Sequence, residues 1–241
     1  NKKKKLSTIL YTIDQRIFLI LLIIFMTTMS YFLLPAFYNK DKIKSQLENQ
    51  ILDKYNLEVK LDESLSYGLF PRPHFYSKDT IISYKSKEIA QSSNTRISII
   101  IKNFFSSDKL TIKDLIFKKT DFKVNHSNFG FFIKLLNENK GNQEINFLDS
   151  KLFYLDKNED IIFLSDIKII NYLYQENFIQ KLNSKFNIFN IPINLDLIHN
   201  SIENKFFTEL ESHRLRLNIK NDSNYNNEKL DGELDVTMIN K

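Results

Sequence analysis

The strongest constraint on this chain is a stretch without one charge, residues 17–37, IFLILLIIFMTTMSYFLLPAF. Drawn as a helix at about 1.5 Å per residue, it covers about 31 Å, the thickness of a bilayer's hydrocarbon core. A cleaved signal peptide and a buried core helix are the competing readings. The run outlasts the apolar part of a signal peptide and no small-x-small cleavage site follows residues 30–36, so an uncleaved membrane anchor is expected. Lys2, Lys3, Lys4, Lys5 and Arg16 precede the run, while Lys40, Asp41 and Lys42 behind it nearly cancel. The positive-inside rule then predicts a cytoplasmic basic tail (1–16), a single span (17–37) and an exported body.

That placement also disposes of the charge balance. Of the formal net charge of +5, the first sixteen residues carry all but one unit, so the body is nearly neutral. Basic pairs such as Lys118 and Lys119 have no aromatic stacking platform, and nucleic acid is not an expected partner. The chain has no cysteine and so no disulfide framework. His74, His126, His199 and His213 are scattered with no metal-ligand spacing, and no nucleophile elbow or glycine-rich phosphate loop is present. A non-enzymatic protein without catalytic residues, metal or cofactor is the expectation.

After the apolar run, Ile43, Leu47, Ile51, Leu52 and Tyr55 recur at helical spacing behind Asn39 and Asp41, which can accept first-turn amide hydrogens. This predicts a short amphipathic helix over 38–55 that caps the body; its mixed-charge polar face is unlike a basic membrane-surface helix. From residue 56 the apolar period falls to two. Ile97, Ile99 and Ile101 alternate in 96–102, Leu110 and Ile112 in 109–117, Leu215, Leu217 and Ile219 in 214–219, and Leu234, Val236 and Met238 in 234–238. Segments 148–155 and 160–170 are less regular and predict strands partly buried on both faces. Between Phe186, Ile188 and the set Phe189, Ile191, Ile193, Leu195, Leu197 the parity changes, which predicts a bulge near 188–189; Pro192 suits an edge or bulged strand. Residues 221–228 read as a polar loop, 130–137 and 201–210 as short helices.

A dozen such strands must bury their apolar faces. With only four glycines for tight turns, a long curved antiparallel sheet is expected over a sandwich or barrel, giving a mainly β fold behind an N-terminal transmembrane helix. The residues alone leave two fillings open: Ile97, Ile99, Ile101, Leu110, Ile112, Leu215, Leu217 and Ile219 line a β-groove, or they pack on one another in a dry core.

The order of features resembles the amino-terminal part of the AsmA family. A basic tail, one span and an amphipathic helix are followed by LEVKL and by the corner Leu69, Phe70, Pro71, Pro73 before a strand. Ala90 and the repeat Leu110, Ile112, Leu115, Phe117 match further phrases, as do SNFGFFIKLL and FNIFNIPINLDL; Asp121 stands where a proline is usual. The resemblance implies an inner-membrane, single-pass protein whose body, 56–241, is a periplasmic β-groove of the bridge-like lipid-transfer type. Its expected partners are phospholipid or another acyl lipid, the inner membrane and other envelope proteins. Its expected role is phospholipid transfer to, or biogenesis of, the outer membrane, with a membrane-tethered scaffold as the alternative. A dozen strands about 4.8 Å apart make a groove of at most about 60 Å, so a fragment of a longer protein, or one working with a partner, is expected.

Overall fold

A computed structural model of the chain describes residues 15–102, 104–128, 130–132, 144–175, 179–226 and 229–238. Helix α1, Gln15–Leu33, runs into a 3-10 turn, Leu34–Phe37, with Pro35 where a helix tolerates a missing N–H. Within α1, Thr27 and Thr28 hide their hydroxyls by donating to the carbonyls of Ile23 and Ile24, each at 2.8 Å. This segment is long and apolar enough to cross a membrane.

Helix α2, Lys40–Tyr55, starts where the Asn39 side chain accepts the Lys42 N–H at 3.0 Å and stops at Asn56 in the left-handed region (φ 50°). Ile43, Leu47, Ile51 and Tyr55, one every four residues, form its buried stripe; Leu52 falls off the stripe and is largely exposed. Two polar side chains of α2 serve backbone groups of the body. Gln50 donates to the Leu110 carbonyl (2.7 Å) and accepts the Ile112 N–H (3.2 Å), and Glu48 accepts the Leu61 N–H (2.7 Å).

The rest is mainly β. The strands are β1 Glu58–Lys60, β2 Ser66–Gly68, β3 His74–Ser77, β4 Thr80–Tyr84, β5 Lys87–Ile99, β6 Ile112–Val124 and β7 Glu144–Leu155. They continue as β8 Ile161–Gln175, β9 Ile179–Ile188, β10 Ile191–Asn200, β11 Lys205–Ser212, β12 Leu217–Asn226 and β13 Lys229–Met238. All belong to one open, curled sheet in the order β1-β4-β5 and then consecutively to β13, with β3 also on β5 and β2 on β3. Every pair is antiparallel except β6 with β7, which is parallel and corrects the expectation of a wholly antiparallel sheet. A parallel neighbour needs a crossover. Its described part, at 130–132, is helical and lays Phe131 and Phe132 on Phe122; residues 133–137 of the helix expected at 130–137 lie outside the described residues.

The curl has a local cause. On one face the buried positions step by two along each strand, then by three: Ser92 to Thr95 in β5, Thr120 from Phe117 in β6, Ser150 from Phe147 in β7, Ile170 from Ile167 in β8. The extra residue in each strand forms a seam across four neighbours, with Lys119 and Asp149 at positive φ (53° and 50°). Such insertions bend and twist a strand. At β9 the seam ends in a register shift between Ile167 and Ile169.

Several sequence expectations change here. The parity switch at 188–189 is a two-residue hairpin turn, with Phe189 and Asn190 at φ 51° and 62° and Ile188 opposite Ile191. Lys85 and Ser86 make the corresponding turn between β4 and β5. Few glycines therefore did not forbid tight hairpins: all the positive-φ positions among the described residues are filled by other side chains, at a cost of about 1–2 kcal/mol each. Pro192 lies in an interior strand opposite Asn187. Residues 205–210, expected as helix, belong to β11, because β10 and β12 pair on both sides of it. Of the run 221–228 expected as a loop, 221–226 are strand and 227–228 lie outside the described residues; Leu215 sits in the turn before β12.

Candidate functional site

Cross-strand register allows one face to be followed across the whole molecule. One row runs Phe75, Ile97, Leu115, Ile145, Tyr172, Leu182, Leu197, Thr208, Asn221, Leu234 from β3 to β13. Its neighbour runs Ser77, Thr95, Phe117, Phe147, Ile170, Ser184, Leu195, Leu210, Ile219, Val236. Over β3 to β7 this face is sealed. The α2 stripe and the aromatic cluster cover it, with Phe117 stacked on Phe147 at 5.1 Å and Phe122 edge-on to Phe147 at 5.1 Å.

Past β8 the same face loses its cover. Leu182, Phe186, Ile193, Leu195, Leu197 and Leu210 are half-exposed, and Leu234, Val236 and Met238 are exposed. By parity no Lys, Arg, Asp or Glu falls on this face in β9 to β12, where His199 stands, whereas the opposite face carries Lys181, Lys185, Asp196, Glu209, Lys220 and Asp222. The less covered face is thus a mainly apolar band across the five strands β9 to β13, about 19 Å at about 4.8 Å per strand, interrupted by Ser184, Thr208, Ser212 and Asn221.

One side of the band is polar. The row Tyr174, Gln180, His199, Phe206, Ser223, Gly232 closes it. His199 stacks on Phe206 at 4.0 Å and its Nδ1 meets the Gln180 amide oxygen at 2.9 Å, which places the proton on Nδ1. Burial holds its pKa below the ordinary 6.5, so the ring stays neutral beside the band. Gly232 allows the closest approach of β13 to β12, since a Cβ there would collide with the Asp222 carbonyl oxygen.

The expected groove residues divide. Ile97, Ile99, Leu110 and Ile112 are buried beneath α2 and its surroundings, within the sealed cluster. Leu217 and Ile219 stand on the bare band. Ile101 and Leu215 lie off the strands, in a loop and a turn, and are exposed. The band's central residues Leu182, Leu195 and Leu210 were not among them; the alternation of 191–197 carried the signal for Leu195, while Leu210 was hidden by a helix-like spacing. The corner holds together at Pro73, whose carbonyl accepts the Ile99 N–H at 3.1 Å, and the Phe70–Pro71 bond is cis. Leu69 is half-buried and Phe70 protrudes. Among the described residues no group of three or more His, Asp or Glu side chains could hold a metal ion.

No protein-family model matches the chain, and no curated protein matches it.

Proposed function

We propose that the chain is a membrane-anchored carrier that holds lipid acyl chains in a β-groove, the less covered apolar face of β9 to β13, with α2 capping the closed end. On this reading it sits in the inner membrane with its body in the periplasm and supports phospholipid transfer to, or biogenesis of, the outer membrane, as AsmA-like proteins do. The observation that supports it most is the continuity of one apolar face from a sealed core into an uncovered band free of formal charge. Exposing a 16-carbon chain to water costs about 0.8 kcal/mol per methylene, about 12 kcal/mol in all, and a lining of this kind offsets that cost. The band's length, about 19 Å, exceeds one leaflet's share of a hydrocarbon core of about 30 Å, so it can take a whole acyl chain. Polar side chains on the opposite face keep the outside of the sheet wet.

The alternative, a tethered scaffold that binds a protein, draws on β13, which among the described residues pairs only with β12. A photoreactive benzoylphenylalanine placed in the full chain at Leu210 separates the two. The carrier reading expects phospholipid adducts at Leu210 and none at Glu209, one residue along on the opposite face. Absence of adducts at Leu210, Leu195 and Ile219 alike would sink it in favour of the scaffold.

A further inference from the structure

The body grips the anchor helix well before the helix ends. The Tyr31 hydroxyl donates to the Ile101 carbonyl at 2.9 Å and accepts the Phe104 N–H at 3.2 Å, while its ring packs on Phe104 (5.4 Å) and Phe105 (5.0 Å). From the β2 side, the Tyr67 hydroxyl donates to the Phe32 carbonyl at 2.7 Å. Within the apolar run, only residues 17–30 form a stretch wholly clear of the body. At about 1.5 Å per residue these supply about 21 Å of lipid-facing helix, some 9 Å less than a hydrocarbon core of about 30 Å. If α1 crosses a bilayer, the missing depth must come from whatever surrounds residues 31–37.

What surrounds them is apolar and exposed. Phe105 is 82% exposed beside Tyr31, Phe37 is 83% exposed at the end of the 3-10 turn, and Ile101 is exposed in the same loop. The corner before β3 adds Phe70, 90% exposed; Pro73 of that corner is bonded to Ile99, directly before the loop. Aromatic side chains at the level of a span's end favour the bilayer interface, and exposed Lys102, next to Ile101, and Arg72, two residues from Phe70 and 3.8 Å from the Asp114 carboxylate, bring positive charge close to these side chains in sequence. In water most of the surface of Phe37, Phe70 and Phe105 would stay wet.

We infer that the loop around Ile101 and Phe105 and the Phe70 corner are seated in the outer interface of the bilayer, so that the body rests in the membrane instead of hanging above it on a tether. This rests on the membrane-anchor part of the function proposed above. It gives the FPRP corner a role: two prolines hold Phe70 out as a stiff wedge without helix or ladder hydrogen bonds.

The chain has no tryptophan, so a single Trp reports its own surroundings. Phe70→Trp, Phe105→Trp, Leu21→Trp and Phe189→Trp are each made in the full chain and reconstituted in phosphatidylcholine–phosphatidylglycerol vesicles, with and without acyl-brominated lipid. Phe189, exposed at the far hairpin, is the aqueous reference. The indoles of Phe70→Trp and Phe105→Trp are expected to emit to the blue, to be quenched by brominated lipid, and to resist aqueous acrylamide about threefold better than the reference, as interfacial indoles do. Quenching of Leu21→Trp by lipid with Phe70→Trp and Phe105→Trp as open to acrylamide as Phe189→Trp would overturn the inference and leave the anchor standing. Failure of lipid to quench Leu21→Trp would overturn both.

Discussion

Two regions of one sheet carry the same sequence pattern and end in opposite conditions. From β3 to β7, alternate apolar residues lie under α2, the first turn of the crossover and each other; from β9 to β13 the apolar residues of the same face grade from half-buried, with Leu182 and Phe186 still touching the core, to exposed at Leu234, Val236 and Met238. Ile97 and Ile219 each belong to a clean apolar–polar alternation, yet one is fully buried and the other half-exposed. Strand periodicity encodes which face is apolar and says nothing about what covers it. Cover comes from segments distant in sequence, and here these run out after β8.

The largest expected effect tests that contrast directly. Ile99→Asp places a charge in the sealed cluster and is expected to abolish cooperative folding, whereas Ile219→Asp on the bare band should leave the circular dichroism spectrum and urea midpoint nearly unchanged. If both unfold the protein, the bare band is covered in solution and the comparison fails. Next in size, Phe117→Ala removes a ring stacked between β6 and β7 and should destabilise the protein by about 3–5 kcal/mol in urea titrations, against about 1 kcal/mol for Leu195→Ala, where little packing is lost. Gly232→Ala is expected to cost about 1–3 kcal/mol through its clash with Asp222 and Ser223, read as faster amide exchange in β13 with β5 to β7 unaffected.

The smallest effect is one of pH. The folded state holds His199 below its ordinary 6.5, so the unfolded chain takes up the proton first. The stability linked to neutral His199 is therefore complete above that value and is lost as pH falls from it toward the lowered folded value. Amide exchange in β9 to β11, corrected for its intrinsic pH dependence, should rise on acidification through that window in the native chain and not in His199→Gln.

Much of the architecture was legible in the sequence. The long apolar N-terminal helix, the helix behind Asn39 and most strands follow from hydropathy period and capping, which are local signals. What was missed depends on pairing. A two-residue hairpin and a bulge produce the same parity switch, and only the partner strand distinguishes them; Phe189 and Asn190 show which it is. Residues 205–210 carry apolar residues at spacings that suit a helix, yet two flanking strands recruit them. The run 221–226 puts Asn221 and Ser223 on its inner face, and only pairing shows it to be a strand, with Ser223 opposite Phe206 in the row that closes the band. The candidate band was half legible: the alternation around Leu195, Leu217 and Ile219 was visible, while the burial of Ile97, Ile99, Leu110 and Ile112 depended on where α2 comes to rest.

The outer face of β13 carries Asp231, Glu233 and Asp235 at alternate positions along a ten-residue edge. Two copies meeting edge to edge in antiparallel register would set one acidic ladder against another, and like charges directly opposed weaken such a pairing. By this charge pattern β13, which among the described residues pairs with β12 alone, suits a neighbouring strand of neutral or basic character better than a copy of itself.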